Sequence, residues 1–191
     1  MKKFLLLIGL ICSITSIQAQ SLTRGSILSD IGVGYGSYRW FSEDAPSAND
    51  SWQVPVRLTY NIHEKVGITS FFQYNRISNR LPYRVQALNV GIGSTLHLFS
   101  TDIYTLSTSF VVGYSNLSMR NGEDPDLASS APGVSFIGAV ENRFWLTHRL
   151  ALLASIGYGG YHYANNVPQI DQFPFRVTGM QGTIGVTVKA F

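Results

Sequence analysis

Apolar and polar positions alternate along eight separate stretches of the chain between Ile27 and Phe191. In the second stretch every other residue is apolar, which places on one face Trp52, Val54, Val56, Leu58, Tyr60 and Ile62. A period of two over such lengths predicts β-strands. The predicted strands are Ile27–Trp40, Trp52–Ile62, Val66–Ile77, Val85–Phe99, Ile103–Arg120, Pro132–Trp145, Arg149–Ala164 and Arg176–Phe191.

The connections between these strands alternate in length. Tight turns follow the second, fourth and sixth strands, at 63–65, 100–102 and 146–148. Longer segments follow the odd-numbered strands: Ser42–Ser51, Asn79–Arg84, Asn121–Ala131 and Asn165–Phe175. Short periplasmic turns and long external loops are typical of barrels in bacterial outer membranes. We therefore predict an all-β fold, an eight-stranded antiparallel up-and-down transmembrane β-barrel, with the first strand paired to the last and both termini periplasmic.

Composition indicates which face of the strands points outward. Charged residues are 13% of the chain, against about 25% in a typical soluble domain. The non-apolar face is mostly Gly, Ser, Thr and Asn, which suits a narrow lumen better than a water-covered exterior. The apolar face carries aromatic residues near the strand ends, where they suit the membrane interfaces: Trp52, Tyr60, Tyr74, Tyr104, Tyr114 and Phe144. We therefore predict that the apolar face contacts lipid.

The first segment of the chain has the pattern of a secretory signal. Lys2 and Lys3 precede the apolar run Phe4–Ile11, and Ala19 is a small residue at the cleavage position. The run is shorter than the roughly 20 residues of a membrane-spanning helix. Cys12 follows a bulky residue where a lipoprotein signal prefers a small one. We predict a signal peptide at 1–19 and a single barrel domain at 20–191.

Charge and cysteine usage exclude several classes of function. Two of the three net positive charges come from Lys2 and Lys3, so the mature chain is near +1. No basic run with interleaved aromatic residues is present, and we expect no nucleic-acid partner. The only cysteine lies in the predicted signal, so no thiolate metal site or disulfide is expected in the mature protein.

The mature chain resembles the small eight-stranded outer-membrane barrels of the OmpA/OmpX type. The resemblance covers the whole architecture and includes the terminal segment Thr183–Phe191, which ends on an aromatic residue after alternating apolar positions. In that group the barrel-insertion machinery recognises such an end. The resemblance therefore implies this machinery and outer-membrane lipids as partners. Because Phe191 is out of phase with Ile184 and Val188, we predict a β-bulge at Ala190.

Eight strands enclose an interior that side chains just fill. The predicted lumen face contains charges of both signs: Asp30, Arg57, His97, Glu141, Arg143 and Lys189. Because buried charges must be paired, we predict a closed ion network and no open channel; the alternative is a proton or ion path. Pairing of the first and last strands is expected to bring Asp30 near Lys189.

The alternating glycines do not predict a nucleotide site. Gly32, Gly34 and Gly36 lie in a strand pattern, whereas a dinucleotide fingerprint opens a helix. Their spacing instead suggests that these glycines and others on the seventh strand make room in the lumen for large side chains. Those side chains are Tyr38, Arg57, Phe71 and Trp145.

One short motif raises an enzyme hypothesis. The run from His162 to Asn165 is similar to the His-x-Ser-Asn element of outer-membrane lipid A deacylases, where His is the base and Ser the nucleophile. Here Ala164 occupies the nucleophile position. Ser115 precedes an Asn on the fifth strand, without a neighbouring His in sequence. We predict no catalytic residues, no metal site and no cofactor.

The long loops are the remaining candidate sites. Asn121–Ala131 contains three acidic residues, and Asn165–Phe175 contains exposed apolar candidates. Loops on a rigid scaffold often carry function. We predict a non-catalytic structural, surface-interaction or adhesion role, with an extracellular ligand bound through the loops. The alternatives are an enzyme that modifies lipid A and a narrow transporter for small apolar molecules.

Overall fold

In a computed structural model, the chain is a closed barrel of eight antiparallel strands, each hydrogen-bonded to its sequence neighbours, with β1 also paired to β8. The structure describes residues 22–41, 47–78, 83–121, 128–163 and 176–190. The strands are β1 Ile27–Phe41, β2 Ser47–His63, β3 Val66–Ser78, β4 Tyr83–Ser100, β5 Tyr104–Asn121, β6 Ala128–Trp145, β7 Leu150–Tyr163 and β8 Arg176–Ala190. The predicted fold class is confirmed.

The main differences from the predicted strands lie at the ends near the long connections. β2 begins at Ser47 instead of Trp52, and β6 begins at Ala128 instead of Pro132. The second half of the predicted loop Ser42–Ser51, residues 47–51, is therefore strand. Apolar alternation marks only the part of a strand with an apolar outer face, whereas backbone hydrogen bonding continues through polar residues beyond it. The predicted loop Asn165–Phe175 lies outside the described residues.

The pairing of β1 with β8 is regular along its whole length. The register runs from Ile27 opposite Ala190 to Phe41 opposite Arg176 without a shift. The predicted bulge at Ala190 is therefore wrong, and Phe191 lies outside the described residues. Register shifts occur instead beside two tight turns, between Asn61 and His63 and between His97 and Phe99. An extra residue there lets the strand bend into the turn.

The two faces of the strands separate as predicted. The apolar set of β2 points outward, with Trp52 62% exposed and Leu58 50% exposed, while Gln53 and Thr59 are buried inside. The predicted aromatic residues at the strand ends also lie on the outer face, and Tyr60, Tyr114 and Phe144 are all exposed. The barrel thus turns an apolar band outward and keeps its polar residues within.

The chain before β1 closes the end of the barrel that carries the tight turns. Leu22 is buried, and Gly25 adopts a φ of 86° that turns the chain into β1. A residue other than glycine is strained in this left-handed region. The Gly25 amide donates to the Asn61 carbonyl at 2.7 Å, and the Asn61 amide donates to the Ser26 carbonyl at 2.9 Å. No helix of the described residues is long and apolar enough to span a membrane.

Candidate functional site

Four charged side chains form a buried network in the half of the lumen near the tight turns. Glu141 accepts hydrogen bonds from Arg57 and from Arg143, the latter at 2.7 Å. Arg143 also donates to Asp30 at 2.6 Å. Ser109 donates to the same Glu141 oxygen as Arg57, at 2.6 Å. Two cations and two anions are therefore paired, as expected for charges removed from water.

Hydrogen bonds connect this network to the end of the barrel that carries the tight turns. Arg143 Nη1 donates to Ser107 Oγ at 3.2 Å, and His97 Nδ1 lies 2.8 Å from the same oxygen. His97 Nε2 lies 2.9 Å from Asn61 Oδ1, and Asn61 Nδ2 donates to Ser26 Oγ at 2.9 Å. The polar groups of this half thus satisfy one another.

The predicted closeness of Asp30 and Lys189 is only partly seen. The register places Asp30 opposite Thr187 and Lys189 opposite Leu28, so the two predicted residues are diagonal neighbours. The Asp30 carboxylate accepts hydrogen bonds from Thr187 at 2.6 Å and from Arg143. The closeness of Asp30 to β8 was predictable from the sequence. Its ion-pair partner Arg143, on β6, was not.

A layer of amide and phenol side chains lies above the ion network. Tyr38 Oη donates to Gln181 Oε1 at 2.8 Å and lies 3.3 Å from Gln53 Oε1. Gln73 Nε2 donates to Gln53 Oε1 and to Gln181 Oε1, and also to Asn75 Oδ1 at 2.6 Å. The lumen side chains of four strands, β8, β1, β2 and β3, are thus joined by hydrogen bonds. Sequence reasoning missed the three glutamines, although their lumen parity was readable from the alternation.

The half of the lumen near the long connections is apolar. A cluster of buried side chains fills it, consisting of Tyr38, Ile77, Val85, Ala87, Leu117, Met119, Ala131, Tyr161, Tyr163 and Val177. The space between Tyr38, Asn75, Ile77, Ala87, Tyr161, Tyr163 and Val177 is too small to hold a water molecule. The Tyr161 hydroxyl is buried beside Tyr38 and Asn75 but forms no well-aligned hydrogen bond with the described residues.

The residues of the enzyme hypothesis lie on opposite sides of the barrel wall. His162 is exposed on the outer face of β7, where its cross-strand neighbours are Val134 and Arg176. Ser115 is fully buried in the lumen and bonds to Asn89 at 2.6 Å and to Tyr163 at 2.9 Å. The fold therefore does not bring this His and Ser together, and the remainder of the motif, from position 164, lies outside the described residues.

The prediction that glycines make room for large lumen side chains is confirmed for Tyr38; the glycine contacts do not include the other three predicted side chains. A Cβ at Gly34 would lie 2.6 Å from the Gln53 side chain, and one at Gly36 would lie 2.6 Å from the Tyr38 ring. The Arg57 guanidinium lies 5.3 Å from the centre of the Phe71 ring, a cation–π distance. Among the described residues, no cluster of three His, Cys, Asp or Glu side chains is placed to hold a metal ion.

Comparison with known proteins finds similarity in structure alone. No protein-family model matches the sequence, and no curated protein matches it. Neisserial surface protein A is 11% identical with a TM-score of 0.61, over 86% of this chain and 96% of that one. Ail, the attachment invasion locus protein of Yersinia pestis, is 12% identical with a TM-score of 0.53, over 85% and 98%.

A third structure is similar over nearly the whole of both proteins. The outer membrane protein OprG of Pseudomonas aeruginosa is 10% identical with a TM-score of 0.52, over 92% of this chain and 99% of that one. Identities this low carry the fold and not the activity. The chain therefore has the fold of the small eight-stranded outer-membrane β-barrels.

Proposed function

We propose that the chain is a non-catalytic integral protein of the bacterial outer membrane with a surface-interaction or structural role. One observation carries the proposal: side chains of the described strands occupy both halves of the lumen. Paired ions occupy the half near the tight turns, and apolar side chains occupy the other half. A filled lumen leaves the outer surface and the long connections as the places for interaction.

The apolar exterior supports the membrane location. From Tyr104 to Tyr114 the outer face of β5 spans ten residue rises. At about 3.4 Å per residue and a tilt near 40°, this length corresponds to about 25 Å, the height of the apolar band in outer-membrane barrels. The fold neighbours are themselves outer-membrane and surface proteins.

Electrical recording tests the filled lumen. Protein inserted in a planar lipid bilayer is expected to show no large steady conductance, because no water-filled path crosses the ion network. A reproducible open channel of porin size would refute the proposal. Heat-dependent gel migration of the same sample shows that the barrel was folded when it was tested.

Protease digestion of intact cells tests the orientation that we propose, with the long connections outside and both termini periplasmic. Cleavage is expected only within the long connections. A cut beside the tight turns near His63 or His148 in sealed cells would reverse the orientation. Lysed cells provide the control that these turns are cleavable at all.

A second candidate function is passage or binding of small apolar molecules. The observation that favours it is the apolar lumen half, with the poorly bonded Tyr161 hydroxyl inside it. A charged residue at Leu117, which is fully buried there, would oppose an apolar guest. Naphthalene uptake should then be faster in cells that make the protein than in cells that make Leu117→Asp. Equal uptake with and without the protein would reject this candidate.

A further inference from the structure

Basic side chains form a collar around the outside of the barrel at the end that carries the long connections. The collar consists of the following exposed, outward-facing residues: Arg39 on β1, Arg76 on β3, Arg84 on β4, Arg120 on β5, His162 on β7 and Arg176 on β8. Among the described outward-facing residues at this level, one is acidic. This residue, Asp50, forms a hydrogen bond with the Tyr35 hydroxyl. Positive charge therefore predominates among the described residues of this rim.

The collar lies just beyond the apolar band. Arg76 is directly opposite the exposed Trp52, whose ring contacts Tyr35 edge-on at 5.5 Å. Arg120 is six residues beyond Tyr114 on the same face of β5, which corresponds to roughly 15 Å above the aromatic level at the usual rise and tilt. Lipid headgroups begin directly outside the aromatic belt, at the level of Arg76, and Arg120 lies further out on the same side.

Two of the arginines are placed in a way that calls for an anion. Arg84 and Arg120 are direct cross-strand partners on the outer face. Like charges directly opposite each other destabilise a sheet. No ion pair between two described residues involves either of these arginines. Arg76, on the adjacent strand, lies opposite Gln86 and is therefore a diagonal neighbour of Arg84, so the three arginines occupy neighbouring positions on three strands.

We propose that this collar binds the phosphate groups of phosphorylated glycolipids in the outer leaflet, with its principal site at Arg76, Arg84 and Arg120. Guanidinium groups bind phosphate by paired, charge-assisted hydrogen bonds. The neighbouring Trp52 and Tyr74 offer an apolar surface for the acyl chains of the same lipid. The inference assumes the proposed membrane location.

The test measures lipid binding by the refolded mature chain in neutral detergent micelles. Native mass spectrometry gives the affinity for diphosphorylated lipid A and for the same lipid after removal of its phosphates. We compare the wild type with R84Q/R120Q and with R84K/R120K. R149Q is the matched control, because Arg149 is an exposed arginine in the turn at the opposite end.

The expected result is about tenfold weaker binding of diphosphorylated lipid A by R84Q/R120Q, an intermediate loss in R84K/R120K and no change in R149Q. The dephosphorylated lipid should bind the wild type and R84Q/R120Q equally. Because R84Q/R120Q removes a repulsive pair, it should fold at least as well as the wild type without lipid.

Equal binding by the wild type and R84Q/R120Q would overturn the proposal, and so would the absence of any phosphate preference. Displacement of the lipid by millimolar inorganic phosphate would overturn the lipid assignment in favour of a free-anion site. If the acidic residues that follow Arg120 in sequence neutralise the cluster instead, the wild type shows no phosphate preference. The micelle assay depends on neither orientation nor conductance, so its failure is distinguishable from failure of the proposed function.

Discussion

Replacement of Glu141 by glutamine is expected to destabilise the barrel strongly. The carboxylate is 1% exposed and accepts hydrogen bonds from Arg57, Arg143 and Ser109. Glutamine retains the shape but removes the charge. The network would then hold two cations and only the anion of Asp30, so one positive charge would be buried without a counter-charge.

The cost follows from that imbalance. Breaking a buried ion pair by removing one partner costs about 3–5 kcal/mol, mainly because the other charge stays desolvated. Removing Arg57 as well restores neutrality, since Arg143 keeps its bond to Asp30 at 2.6 Å. The double variant Arg57→Met/Glu141→Gln should therefore be more stable than Glu141→Gln alone by about 1–3 kcal/mol.

Urea unfolding in lipid vesicles, followed by tryptophan fluorescence, measures the free energy of unfolding for each variant. Glu64→Gln is the control, because Glu64 is exposed in the turn between β2 and β3, and it should change stability by less than about 0.5 kcal/mol. The reasoning is refuted if Glu141→Gln costs less than about 1 kcal/mol. It is equally refuted if the double variant loses as much as the sum of the two single variants.

Further predictions concern packing, folding state and chemistry. A Cβ at Gly93 would collide with the Phe110 carbonyl oxygen, whereas one at Gly138 has no atom closer than 4.0 Å; Gly93→Ala should therefore lower the unfolding free energy by about 1–3 kcal/mol and Gly138→Ala by less than about 0.5 kcal/mol. The purified protein should migrate differently on a gel before and after boiling and give a strand-rich circular dichroism spectrum; identical migration would argue against a stable barrel. Mass spectrometry of lipid A should show the same acyl chains in cells with and without the protein, and an acyl change that requires His162 would establish the enzyme alternative.

Most of the fold was predictable because a barrel of this size imposes one simple periodicity. Each residue faces either the outside or the lumen, and in β2 the apolar residues from Trp52 to Ile62 report that choice directly. The strand ends beyond the apolar band were less predictable. In Ser47–Ser51 the backbone ladder continues through small polar residues, which have no preference between the two faces.

The contacts across the lumen were not predictable from the same pattern. Parity places Asp30 and Arg143 inside the barrel, but the pairing of the two depends on the stagger of β1 against β6, which are not sequence neighbours. The glutamine layer has the same origin, because Gln53 and Gln181 meet only through the closure of β8 on β1. A single sequence predicts which residues face the lumen, but it does not predict the stagger of the strands that decides which of them meet across it.

The distribution of charge separates structural residues from candidate interaction residues. Inside the lumen, the ion network is neutral and each of its charges has a partner within the barrel. These charges therefore need no external ligand. At the loop end of the outer face, Arg84 and Arg120 lie side by side, and folding brings like charges together at a cost. A protein that only needed a stable wall would gain by replacing one of them. The excess of positive charge among the described residues of this rim is therefore a feature that stability does not explain and that the proposed anionic lipid would explain.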